Sequence, residues 1–162
     1  IRDIGVTGVQ TCALPIKENM QFLMDLHPGW TFHLLGPAAV LEMIRRYFSS
    51  ADSEMLVQAF SVKNLLWIQR EHMARFVALY ALGGLYVDLD VKIKADLTSV
   101  LEASLVLTCG NSKSHVDLDI VAAQAGDDRI LELLQLGALF VVQLVHLGLI
   151  LEFPILEFQM LH

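Results

Sequence analysis

The spacing of apolar positions divides the chain into segments of two periods. Over residues 38–48, Leu41, Ile44 and Phe48 recur at intervals of three and four, with Arg45 and Arg46 falling elsewhere, which predicts an amphipathic helix. Residues 49–54 read as a polar linker. A longer helical pattern runs over 62–82, in one piece or two. Leu65, Ile68, His72, Arg75, Leu79 and Leu82 lie on one side of it, and Leu66, Met73, Phe76, Val77 and Tyr80 form a broader apolar face beside that. Gly83 and Gly84 end this helix as glycines after a last turn do. Residues 85–91 then alternate as a half-buried strand.

The remaining segments are shorter. Pro28 and Gly29 mark a turn, and the aromatic and β-branched run 30–35 after it predicts a strand. Residues 96–103 predict a short helix capped by Asp96 or Thr98, 105–108 a short strand, and 127–136 an amphipathic helix. Helices alternating with strands predict an α/β layered domain. Residues 136–151 are almost wholly apolar, broken by Gln143, His146 and small residues. That run falls short of a membrane span and predicts a buried helix or strand, or an extension of foreign origin.

Composition narrows the class. At 162 residues, 55% hydrophobic, with a mean hydropathy of +0.55, the chain can bury a real core and is too apolar for disorder. A net charge of −7 without a basic patch argues against nucleic acid as a partner. Residues 1–16, IRDIGVTGVQTCALPI, follow neither period and resemble the in-frame translation of a sequencing-library adapter. Such a segment is set aside from fold reasoning. The domain expected is therefore 17–136, with 137–162 an apolar tail and the native termini undefined. Setting 1–16 aside leaves Cys109 as the single cysteine, so neither an intrachain disulfide nor a cysteine-based zinc site is expected.

The chemistry concentrates in YALGGLYVDLDVKIK, residues 80–94. Side chains two apart on a strand share a face, so Asp88 and Asp90 point together, with Tyr86 beside them and Val87, Leu89 and Val91 packing behind. Two adjacent carboxylates repel unless a cation or a shared proton relieves them. Mg2+ or Mn2+ does so, and such ions combine one or two carboxylates with substrate phosphates. Arg75 precedes Asp88 by thirteen residues. A helix that turns straight into the strand can lay its guanidinium near both aspartates, where it offsets their charge and suits a phosphate.

REHMARFVALYALGGLYVDLDV resembles the signature of glycosyltransferases with a DXD sugar-binding region, a group that includes initiating mannosyltransferases of yeast outer chains and capsular and toxin-type sugar transferases. Arg75-Phe76 matches the group's Arg-aromatic pair, Gly83-Gly84-Leu85-Tyr86 its middle, and Asp88-Leu89-Asp90 its metal motif. HPGWTFHLL, from His27, resembles the strand that opens these domains. The group has Asp three residues before the arginine; His72 stands there instead, and its ring can still bond a hydroxyl.

The resemblance implies a GT-A-like, Rossmann-type nucleotide-sugar-binding domain, here an incomplete one. Mn2+ or Mg2+ would sit on Asp88 and Asp90, with Arg75, Tyr86, Asp88 and His72 around a UDP- or GDP-sugar. The acceptor would be a hydroxyl of a glycan, lipid or protein. It also implies a Golgi membrane setting in a eukaryote, and a cytoplasmic or membrane-associated one in a bacterium. Two rival readings are a haloacid-dehalogenase-type phosphatase with Asp88 as nucleophile and an inactive carbohydrate- or partner-binding relic. Asp117 and Asp119 repeat the Asp-x-Asp spacing without the helix, double glycine or matched arginine, and read as structural or peripheral.

Overall fold

In the computed structural model the described residues are 13–62, 65–88, 91, 93–109 and 116–146. Their order is α1 (Ala13–Leu26), α2 (Pro37–Tyr47), α3 (Ser50–Phe60), α4 (Trp67–Leu82), β1 (Gly84–Val87), a 3-10 turn (Thr98–Glu102), β2 (Leu105–Cys109), β3 (Val116–Ala123) and α5 (Asp128–His146).

The expected helix over 38–48 is α2. Pro37 opens it, where a missing N–H costs nothing, and Arg45 and Arg46 in its last turn complement the helix dipole. Val40 and Ile44 are its buried face. The polar linker expected over 49–54 is instead the start of α3. Ser49 caps that helix: its Oγ accepts from the Asp52 amide at 3.2 Å and donates to Asp52 Oδ2 at 2.6 Å. A Ser-x-x-Asp cap before an apolar run is a helix-start signal, and here it outweighs the local polarity.

Residues 30–35, expected as a strand, are irregular. Leu34 is exposed and Leu35 packs on the core, and no described strand pairs with this segment. Its aromatic and branched composition gave irregular chain without a ladder partner among the described residues, and a strand needs one.

The three strands form one sheet in the order β1-β3-β2, with both pairings antiparallel. Mixed helix and strand is the α/β class expected. The parallel, Rossmann-type arrangement is not present among the described residues. The second acidic segment, read from its sequence as structural or peripheral, is the central strand β3.

Val121 and Ala123 of β3 lie against the buried faces of α2 to α5, where Ile44, Leu56, Val77, Ile130 and Leu134 are almost fully enclosed. Phe48 and Tyr80 close the α2–α4 junction with ring centroids 4.6 Å apart. α5 continues through His146 and sends Ala138 and Val141 into the same core. Among the described residues no helix is long and apolar enough to cross a membrane.

Candidate functional site

The site begins where α4 stops. Gly83, with φ 66°, donates its amide to Leu79 O at 2.8 Å and reverses the chain into β1. The Tyr80 carbonyl of the same last turn accepts from the Gly126 amide at 2.8 Å, so the α4–β1 and β3–α5 turns are held together. β1 then runs back beneath α4, as the thirteen-residue separation of Arg75 and Asp88 predicts.

Which face of β1 meets the helix differs from expectation. Tyr86 packs against the helical core, while Leu85 and Val87 are half-buried on the other face and take no part in that core. The expected packing of Val87, Leu89 and Val91 behind the aspartates is thus inverted for Val87. Arg75 makes this possible: a buried guanidinium lets a phenol and a carboxylate share the helix side of the strand. Leu89 and Asp90 lie outside the described residues.

Arg75 is 3% exposed. It donates from Nη1 to the carbonyl of Leu118, lies 3.3 Å through Nη2 from Asp88 Oδ1, and stacks on the Tyr86 ring with 4.4 Å from its central carbon to the ring centroid. Glu71 Oε1, one turn back, is 3.9 Å from Nη2. Only its Nε, also buried, has no hydrogen-bond partner among the described residues. The Tyr86 hydroxyl donates to Asp88 Oδ1 at 2.5 Å and lies 3.4 Å from Glu71 Oε1. Burial, and then the bond to Asp88, push this phenol far above its usual pKa, so it remains a donor at any ordinary pH. One carboxylate oxygen of Asp88 is thereby fixed from two sides. The other takes no bond from a described residue.

The Leu118 carbonyl is available because the β2–β3 ladder breaks beside it. Leu107 pairs with Val121 but Thr108 pairs with Asp117, so the register slips across residues 118–120, where the Thr108 hydroxyl donates to Ile120 O at 3.3 Å. On the other side of β3 the pairing continues, and the Asp88 amide donates to Asp119 O at 2.8 Å. Asp119 is therefore the cross-strand neighbour of Asp88, which favours the structural over the peripheral of its two readings. Sequence spacing could not show this, because it depends on the register of two strands thirty residues apart. Glu71 was also missed, although it sits one helical turn before Arg75. Among the described residues no three His, Cys, Asp or Glu side chains converge on a point.

His72 is half-buried on α4. Burial first, and then the Arg75 charge, lower its pKa, against smaller raising effects of Glu71 and Asp88. A histidine whose folded pKa lies below its unfolded value binds fewer protons when folded. Its contribution to stability is present above the ordinary value of about 6.5 and is lost as pH falls through that value toward the lower folded one. The melting temperature should therefore drop between pH 7 and 5.5, and His72→Gln should flatten that slope. An unchanged slope in the variant would assign the acid sensitivity elsewhere.

A shallow groove of about 290 Å3 lies at the Gly83-Gly84 turn, lined by Leu101, Ala103 and the Ala122–Ala125 backbone. It contains none of Arg75, Tyr86 and Asp88, and its lining offers little polar chemistry.

No curated protein and no solved structure matches the chain. Residues 15–107, more than half of it, match the family model described as the glycosyltransferase sugar-binding region containing a DXD motif. That span runs from α1 into β2 and takes in Arg75, the double glycine and the aspartate strand, so the chain belongs to this family of DXD-containing glycosyltransferase sugar-binding regions.

Proposed function

We propose that the chain carries the donor-binding part of a metal-dependent glycosyltransferase of the GT-A kind, which transfers a sugar from a UDP- or GDP-sugar to a hydroxyl of a glycan, lipid or protein. The observation that carries this reading is the setting of Asp88: one carboxylate oxygen held by Tyr86 and Arg75, at the exit of the strand within the matched family region.

Asp88 and Asp90 would hold Mn2+ or Mg2+, which when bound supplies positive charge to the diphosphate that departs with the nucleoside. Tyr86 keeps its proton and orients the Asp88 carboxylate. Arg75 acts from behind that carboxylate. Its burial and its bonds to Leu118 and Asp88 suit a role in fixing the aspartate and balancing its charge more than direct grip on phosphate. His72, kept neutral by burial and by Arg75, is suited to hydrogen-bond a donor hydroxyl.

The test is calorimetric titration of the full chain with UDP- and GDP-sugars, with and without Mn2+. Binding should require the metal, and Asp88→Asn/Asp90→Asn should weaken it by about a hundredfold or more. Turnover should release nucleoside diphosphate; release of inorganic phosphate would favour a phosphatase. Metal-independent binding that survives the double substitution would remove the aspartates from the site.

A further inference from the structure

His27 and Arg75 are the buried polar side chains of the described residues. Arg75 belongs to the site above. His27, 3% exposed, lies at the end of α1, and its ring stacks on Trp30 with centroids 4.0 Å apart and planes at 28°. Its two nitrogens bind backbone groups far apart in the chain. Nδ1 is 3.1 Å from the carbonyl of Leu23, and Nε2 is 3.0 Å from the amide of Leu97.

These two backbone partners are complementary to one tautomer. A backbone amide can only donate, so Nε2 presents a lone pair to Leu97. A carbonyl can only accept, so Nδ1 carries the proton toward Leu23. Asp96 Oδ1, 3.2 Å from Nε2, is the charged group against the ring. That oxygen is occupied by the Thr98 amide at 2.8 Å and the Thr98 hydroxyl at 2.6 Å. Asp25, nearest in α1, is exposed and bonded by Gln21; Lys94 is exposed.

Leu97 terminates the chain that leaves Asp88. Near its start the Val91 amide donates to Asp88 O at 3.0 Å, and Ile93 is buried. Beyond Ile93, Asp96 Oδ1 and the Leu97 amide both lie against His27 Nε2, before the 3-10 turn begins at Thr98.

We propose that His27 is a positioning residue: through Nε2 it latches Leu97, seventy residues on, to the end of α1, and so sets the position of Asp88 upstream on the same chain. The functional half of this inference rests on the metal reading given above. The latch itself does not.

Two substitutions separate the two bonds. The glutamine carbonyl reaches the position of Nε2 and can accept from Leu97. The asparagine amide reaches the position of Nδ1, keeps the bond to Leu23 and stops short of Leu97. The measurements are hydrogen exchange at the Leu97 amide and calorimetric titration with Mn2+ alone, both on the full chain. His27→Gln should keep Leu97 protected and stay within about threefold of the original Mn2+ affinity, while His27→Asn should lose the protection and about tenfold in affinity. Equal behaviour of the two variants overturns the proposal. So does loss of Leu97 protection in His27→Asn with Mn2+ affinity intact. If the unsubstituted chain binds no Mn2+ while Leu97 is protected, the metal reading falls and the latch stands. Should the variants not fold, the imidazole 15N spectrum of the unsubstituted chain decides: protonation at Nδ1 supports the latch, and protonation at Nε2 overturns it.

Discussion

Gly83→Ala should destabilise the chain by about 3 kcal/mol or more, a drop of roughly 6–12 °C in melting temperature for a chain of this size. Two costs add. Gly83 has φ 66° and ψ −168°, a region of backbone space that is essentially glycine's alone and costs other residues about 1–3 kcal/mol. A Cβ there would also lie 2.6 Å from the Ala125 amide nitrogen and 3.3 Å from the Ala123 carbonyl. Both are backbone atoms, one in β3 and one in the turn after it, so no side chain can swing aside. Gly84 is the internal control. It also has positive φ, at 97°, but a Cβ would meet nothing within 4 Å. Gly84→Ala should cost about 1 kcal/mol, the strain alone. Equal melting shifts for the two variants would show that the contact with Ala125 does not matter.

The second large effect is expected at Arg75. Arg75→Met keeps most of the side chain's volume but leaves Asp88, 19% exposed, without its counter-charge and the Leu118 carbonyl without its donor. Breaking a buried pair from one side costs about 3–5 kcal/mol, because the remaining charge stays desolvated. Arg75→Lys should recover only part of this. An ammonium keeps the charge, but it cannot fork to Leu118 and Asp88 or lie flat on Tyr86. The double variant Arg75→Met/Asp88→Asn should be less destabilised than the sum of its single changes, since it leaves no unpaired charge. Urea unfolding of all four chains measures the coupling. A strictly additive cycle would mean that the two residues do not act as a pair.

Much of the chain was legible as pattern. The α2 helix, the α4 helix with its glycine stop, the strand that follows at once and the two short segments after it all arise from local spacing and local turn chemistry. Other features were legible but were passed over. Ser49 and Asp52 announce α3 by a cap motif, and the surrounding polarity hid it. The 30–35 segment failed for the opposite reason: strand composition is visible in sequence, whereas the ladder partner it needs is not.

The candidate site divides along the same line. By itself the sequence determined that Arg75 lies one helix, one double-glycine turn and a short strand before Asp88, and that Tyr86 and Asp88 share a face. Those are consequences of the 3.6 and 2.0 residue periods and of a glycine reversal. Only the tertiary structure decided that this shared face is the buried one, that Arg75 spends its guanidinium on Leu118 as well as Asp88, and that Asp119 stands across from Asp88. Each of these depends on which strand pairs with which, and on a break in the β2–β3 register. Pairing between distant segments is set by the joint burial of all the elements, and no local period carries that information.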